Sequence, residues 1–397
     1  MIQKFDLNDI LIEPAIISDI TSRKDVNIYD VNGMLPIFTS PMFDVVSNDN
    51  YHKFIDNKIY SIIPRKPTGT YTMDDFYSTT QNRWQAVGLE DFNQFFNNDN
   101  LYETYISKVW VLIDMANGHM KHLYDSVLSA KLRWGSKLVL MVGNIANPYT
   151  YKMFSAIGAD YCRLSIGSGS PCLTSVQTAI GYPMGSLISE CAEIRNKFKE
   201  SGEKYGKIIA DGGISTYSDV IKSIALGADY VMMGGTLNKS IESASPIFME
   251  IRGGIKVQPV FPNDAPEFSD VELIKEYIKQ HVIGFNGNYN LNIKFQTGET
   301  STIRLSHEDF IDFTLWKRYR GMSTKEVQQE LGNKIMKTSE GIIKYNKVEY
   351  SLRGWTENFI HYISSAMSYT GFDDLKDFIS GPDWNLITHN SYLRINK

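Results

Sequence analysis

The chain has 397 residues, a formal net charge of −5 and 43% hydrophobic residues, which suits one large globular domain, alone or with a small one. The near-neutral balance provides no basic footprint for nucleic acid, so an anionic ligand must be gripped locally. No apolar run approaches the length of a membrane span, and MIQKFDLNDI lacks the marks of a signal peptide.

In chain order, MLPIFTS (34–40) and YSIIPRK (60–66) read as the first two strands. Residues 67–105 are polar and aromatic with little periodicity, and they read as an interruption. From residue 108 one unit repeats, a short apolar run followed by a helix-length segment. The runs are KVWVLID (108–114), KLVLMVG (137–143), ADYCRLSI (159–166), KIIADGG (207–213) and ADYVMMGG (228–235). Between them lie amphipathic stretches such as HMKHLYDSVLSAKL and TYSDVIKSIALG. Continuous β-branched runs alternating with helical patterns indicate buried parallel strands and crossover helices. Seven or eight such units predict a (β/α)₈ barrel, with functional loops after the carboxyl ends of the strands.

Residues 244–315 break this pattern. KVQPVF is strand-like, Val271, Ile274, Ile278 and Val282 recur at helical spacing, and NLNIKFQTGETSTIRLS alternates as a hairpin does. The expected organisation is therefore the first part of the barrel over 1–243, a small α+β insertion over 244–315, and completion of the barrel over 316–397. The insertion could be decoration, an oligomer contact or a lid.

Two glycine turns carry the first chemical signal. DGG at 211–213 and GG at 234–235 each follow an apolar run and precede a helical pattern. Glycines there let backbone N–H groups approach an anion, and two such turns after consecutive late strands favour a phosphorylated ligand. Asp211 either accepts hydrogen bonds from ribose hydroxyls or caps a helix. The loop IGSGSPCLTS (166–175) carries the second signal, Cys172. Cys162 and Cys191 sit within apolar patterns and read as core residues. Three cysteines cannot form a disulfide framework and lack metal-ligand spacing, so a reducing cytoplasm is the expected setting. Cys172 lies past a strand end, where a thiolate could reach a ligand as a nucleophile.

IGSGSPCLT, GYPMGSLISECA, IIADGGI, DYVMMGG and YRGMS together resemble the IMP dehydrogenase/GMP reductase family, in order through about 108–243 and 317–375 and more weakly through 5–66. The resemblance implies a (β/α)₈ barrel that binds a purine nucleoside monophosphate beside a nicotinamide dinucleotide. It implies attack of Cys172 on purine C2, a phosphate contact from Ser170, and ribose and phosphate contacts from Asp211, Gly213, Gly234, Gly235, Tyr319, Arg320 and Gly321. Met322 would back the base. Carbonyls of Gly167, Gly169 and Cys172 would hold a monovalent cation such as potassium, and the family's habit is a homotetramer.

Within that family the reductase branch fits better. The segment TKEVQQELGNKIMKTS between YRGMS and EG is short and lacks the Arg-Tyr pair of dehydrogenase flaps, whereas Thr174 and Glu340 match the reductase Thr-Glu pair. DMANG (114–118) resembles the reductase version of its loop, which implies cofactor contacts from Asp114, Asn117 and Gly118, and Arg65 stands near the place of a cofactor-holding lysine. SPMFD displaces Asp44 by one residue from the family's SPMD. SAMSYTGFDDLKDF and SYLRINK resemble the closing helix and the last short strand. The leading expectation is NADPH-dependent reduction of GMP to IMP and ammonia. The alternatives are an IMP dehydrogenase forming XMP with NAD, an enzyme of a modified purine nucleotide, and an inactive nucleotide-binding scaffold.

Overall fold

The computed structural model describes residues 3–97, 107–169, 172–262, 265–268, 270–285, 289–295, 297–333 and 341–395. Eight short parallel strands follow one another: β1 (Ile37–Thr39), β2 (Ser61–Ile63), β3 (Arg83–Val87), β4 (Val109–Asp114), β5 (Leu138–Ile145), β6 (Tyr161–Leu164), β7 (Lys207–Asp211) and β8 (Tyr230–Met233). Each of β2 to β8 pairs with its sequence neighbours, and β8 pairs with β1 through Ile37 and Val231. The ring closes between β1 and β2, where Thr39 N donates to Tyr60 O at 2.8 Å and Tyr60 N to Ile37 O at 2.9 Å. This is the (β/α)₈ barrel.

One strand lies in the segment that looked irregular. β3 is RWQAV, in which Trp84 and Ala86 face the barrel interior while Arg83 and Gln85 do not. All five residues are buried, so its polar members need partners. Arg83 donates to Ser78 O and Asn48 Oδ1, and Gln85 Nε2 donates to Pro64 O at 3.0 Å. The polar residues hid the strand because their hydrogen bonds come from distant loops.

The outer helices are α1 (Tyr51–Asp56), α2 (Met73–Tyr77), α3 (Leu89–Phe96), α4 (Lys121–Trp134), α5 (Pro148–Ala156), α6 (Met184–Glu200), α7 (Tyr217–Ala225) and α8 (Leu352–Thr370). Their starts are written locally. Asn147 caps α5 with Pro148 in its first turn, Thr216 and Asp219 form a capping box at α7, and Ser351 caps α8. Trp355 of α8 lies 5.3 Å from the ring of Tyr217, so α8 closes the helical layer next to α7. Among the described residues no helix is long and apolar enough to cross a membrane.

All eight barrel strands lie within 37–233, and a second sheet separates β8 from α8. Its strands are β9 (Ile247–Ile251), β10 (Ile255–Pro259), β11 (Ile283–Phe285), β12 (Tyr289–Lys294), β13 (Thr300–Arg304), β14 (Thr314–Arg320) and β15 (Ile343–Lys347), in the order β11-β12-β10-β9-β14-β15, with β13 on β12. Met249, Ile274, Leu291 and Leu315 lie in its own apolar core. The expected boundary at 315/316 falls inside β14, because this strand pairs with β9 through its first half and with β15 through its second. Thus 316–397 contributes α8 but no barrel strand. The last short strand is Trp384–Leu386, antiparallel to Ile10–Ile12, whereas the described part of SYLRINK, Ser391–Ile395, belongs to the helix His389–Ile395.

Candidate active site

Strand alternation builds the floor of the site. Leu112, Tyr161 and Ile209 face the barrel interior, so Asp114, Arg163 and Asp211, two residues further on, face the same way at the carboxyl ends of β4, β6 and β7. Arg163 Nη1 lies 2.5 Å from Asp114 Oδ1, and Arg163 Nε lies 2.8 Å from Asp211 Oδ2. Burial opposes the charge on Arg163, but the two carboxylates outweigh it and hold the guanidinium pKa above its ordinary value. Asn144 Nδ2 also donates to Asp211 Oδ2, at 2.9 Å, while Arg65 Nη1 reaches the carbonyl of Asp114 at 3.4 Å.

Above this floor opens a cavity of about 600 Å³. The turn after β6 forms one wall. Gly167 has φ +75°, and a Cβ there would stand 2.0 Å from Ser175 Oγ and 2.5 Å from Ser175 N, so only glycine lets the turn close on the helix Thr174–Thr178. Cys172 N donates to Gly169 O at 2.8 Å, and the Cys172 thiol donates to Thr174 Oγ1 at 3.3 Å. Cys172 is partly exposed and lines the cavity, and Gly341 forms an antiparallel bridge with it. Cys162 and Cys191 are fully buried, and burial pushes both thiols up. They are core residues, as their apolar surroundings in the sequence suggested.

The opposite wall joins barrel and second sheet. The turns Gly212–Ser215 and Gly234–Thr236 line the cavity, and β14 delivers Tyr319, Gly321 and Met322 to it. Tyr319 is buried, its hydroxyl donates to Met42 Sδ at 3.2 Å, and burial raises its pKa. At Gly234 a Cβ would stand 2.3 Å from the Tyr319 hydroxyl. This glycine therefore makes room for the hairpin.

The cavity brings together Arg65, Asp114, Gly167, Gly169, Cys172, Thr174, Asp211, Gly213, Gly234, Gly235, Tyr319, Gly321 and Met322 from the sequence expectations. Ser170 and Glu340 lie outside the described residues. Three expectations are corrected. Arg320 does not line the cavity: its guanidinium is buried on Asp44, with Nε 2.9 Å from Oδ2 and Nη2 3.0 Å from Oδ1, and reaches Glu330 on its other side. The displaced Asp44 is thus a buried counter-ion behind the hairpin. Asn117 does not line it either, because its side chain accepts from His119 N at 3.0 Å in a local turn. Gly118 also lies off the wall and instead lets the loop approach Asn144, whose carbonyl accepts from Gly118 N at 2.8 Å.

Sequence reasoning missed Asn144, Arg163, Ser165, Ser168, Lys239 and Asn346 on the wall. Arg163 had a signal, a charge in an apolar strand run two residues from an inward Tyr161. Asn346 had none, since only the second sheet brings β15 to the glycine turn.

A family model described as the IMP dehydrogenase / GMP reductase domain matches residues 85–258. Curated relatives include the "GMP reductase" of Escherichia coli O157:H7, 33% identical over 205 residues, covering 51% of this chain and 52% of the relative. Those of E. coli O139:H28 and Shigella boydii serotype 18 are each 32% identical over 205 residues with the same coverage. The chain spans about half the length of the curated relatives it matches. The domain match contains Cys172, Thr174, Asp211 and both glycine turns, whereas Tyr319–Met322 lie beyond it. A closed (β/α)₈ barrel, a cysteine turn after β6 and two glycine turns after β7 and β8 thus stand in a chain whose residues 85–258 match the IMP dehydrogenase / GMP reductase domain.

Proposed function

We propose that the protein is a GMP reductase-like oxidoreductase that converts GMP to IMP and ammonia with NADPH. The observation that carries this reading is the Cys172 thiol set 3.3 Å from Thr174 Oγ1 on the wall of the cavity. The relatives named "GMP reductase" support the direction.

The Cys172 thiolate adds to purine C2, which becomes tetrahedral, and a soft sulfur nucleophile suits that carbon. The Thr174 hydroxyl, with Glu340 as its proton partner, protonates the C2 amine, and ammonia leaves as the C2–N bond breaks. A thioimidate then joins Sγ to C2. When bound, NADPH supplies the hydride that C2 receives. The Sγ–C2 bond finally breaks and returns the thiolate to Cys172. Overall, GMP, NADPH and two protons give IMP, NADP⁺ and ammonium.

Backbone N–H groups of the Gly213 and Gly234–Gly235 turns, with Ser170, hold the phosphate, and Asp211 takes the ribose hydroxyls. Among the described residues the two hydrogen bonds to its side chain both fall on Oδ2. Arg65 and Asp114 form the cofactor end of the cavity. Arg65 Nε is buried without a partner among the described residues, a donor that fits a polar, anionic cofactor. The turn carrying Gly167, Gly169 and Cys172 offers carbonyls to a monovalent cation such as potassium, and exchange of potassium for tetramethylammonium lowers activity on this reading. A homotetramer belongs to the same reading.

The test is incubation with GMP plus NADPH and, separately, with IMP plus NAD, following the nicotinamide absorbance. NADPH consumption with stoichiometric ammonia supports the proposal. NADH and XMP from IMP make it a dehydrogenase, turnover restricted to another member of a nucleotide panel makes it an enzyme of a modified purine, and GMP binding without any turnover makes it a scaffold. Each of these three overturns it.

A further inference from the structure

We propose that Lys239 is a phosphate-recognition residue of this cavity, held in reserve by Glu349, and that it makes the site select a phosphorylated ligand over the free nucleoside. The inference rests on reading the cavity as a nucleotide site. Among the described residues five charged side chains line it: Arg65, Asp114, Arg163, Asp211 and Lys239. Arg163 lies between the two aspartates, and Arg65 bonds the carbonyl of Asp114. Two arginines therefore balance two carboxylates at the floor. Without Lys239 the wall carries no net positive charge to meet a phosphate dianion.

Lys239 is also in the right place. It caps the single helical turn Gly235–Asn238 that opens at the glycine pair, and its backbone N donates to Thr236 O at 3.1 Å. Asn346 sits beside it on the cavity wall, donating to Asn238 Oδ1 at 2.8 Å and reaching Gly235 O at 3.5 Å. Backbone groups there supply directional donors but no full charge, and a lysine ammonium adds a point charge of the kind that serves phosphate.

The ammonium is loosely held. Lys239 Nζ lies 3.0 Å from Glu349 Oε1, with the two side chains 33% and 42% exposed. A solvent-exposed pair of this kind contributes little, so a dianion entering the cavity competes for the ammonium at little cost. Glu349 N donates to Lys239 O at 3.1 Å, which keeps the carboxylate next to the lysine when the cavity is empty of anion.

Calorimetric titration of the whole chain with inorganic phosphate, GMP and guanosine tests this, with near-ultraviolet circular dichroism as the check on folding. Lys239→Met is expected to weaken phosphate and GMP about tenfold while guanosine is unchanged, Lys239→Arg to restore part of the loss, and Glu349→Gln to tighten phosphate by about two- to threefold. An unchanged ratio of GMP to guanosine affinity in Lys239→Met overturns the inference, as does phosphate binding indifferent to both variants. Phosphate binding needs neither guanine nor turnover. Phosphate held through Lys239 by a protein that ignores GMP overturns the proposed function and leaves this inference standing, and a wild-type protein that binds neither overturns both.

Discussion

At the scale of single residues, the proposed reaction assigns the chemistry to Cys172 and Thr174, above the floor that Arg163 holds together. Cys172→Ala is expected to lower kcat by roughly a thousandfold or more while GMP still raises the melting temperature, because nucleotide binding does not need the covalent bond. Thr174→Val keeps the thiol but loses the proton path, with an expected fall in kcat of about a hundredfold and little change in KM. Steady-state kinetics beside thermal shift separates the two effects. Arg163→Met leaves Asp114 and Asp211 buried without their shared cation. Breaking such a buried network costs about 3–5 kcal/mol, which denaturant unfolding measures. A cost below about 1 kcal/mol there rules out this account of the floor.

At the scale of elements, two turns and one hairpin set the geometry. Gly167→Ala forces a methyl group into Ser175 and displaces the turn that carries Cys172, so kcat falls while the barrel stays folded. Circular dichroism beside turnover checks both halves of that expectation. β14 joins the second sheet to the cavity, with Thr314–Lys317 paired to β9 and Tyr319 on the cavity wall. The insertion is therefore the base from which β14 carries Tyr319 to the cavity wall. Its strands and hairpin were legible from alternation over 290–306. The paired strand β14 was not, because half of its partners lie in β9, about 65–70 residues earlier in the chain.

At the scale of the whole molecule, barrel and second sheet meet at Lys317. This lysine is buried, and its Nζ donates to Ser243 O at 3.0 Å and Ser245 O at 2.7 Å. Burial lowers its pKa to about 7 from 10.5, against the opposing pull of Glu242. Between about 7 and 10.5 the unfolded chain then binds the proton that the folded chain has released, so the free energy of unfolding rises with pH across that window. Below about 7 both states are protonated and the cost of burying the ammonium is fully present. Lys317→Met is expected to flatten the rise, as read by urea unfolding at a series of pH values. A slope unchanged by the substitution rejects this titration.

The sequence by itself determined the barrel, the cysteine turn and the paired glycine turns, because each is a local pattern: continuous apolar runs, helical spacing, and glycine where a backbone must come close. It also determined Asp114 and Asp211 as strand-end carboxylates. Tertiary structure alone decided what these groups face. Arg163 meets aspartates 49 and 48 residues away, and Asp44 takes Arg320 from 276 residues away, which keeps Asp44 and Arg320 off the cavity wall. β3 is a strand because distant loops satisfy its polar side chains, and Asn346 reaches the cavity wall beside Gly235 because the second sheet brings β15 there. Such pairings depend on which surfaces the closed barrel and its added sheet bring into contact, and no periodicity along the chain encodes them.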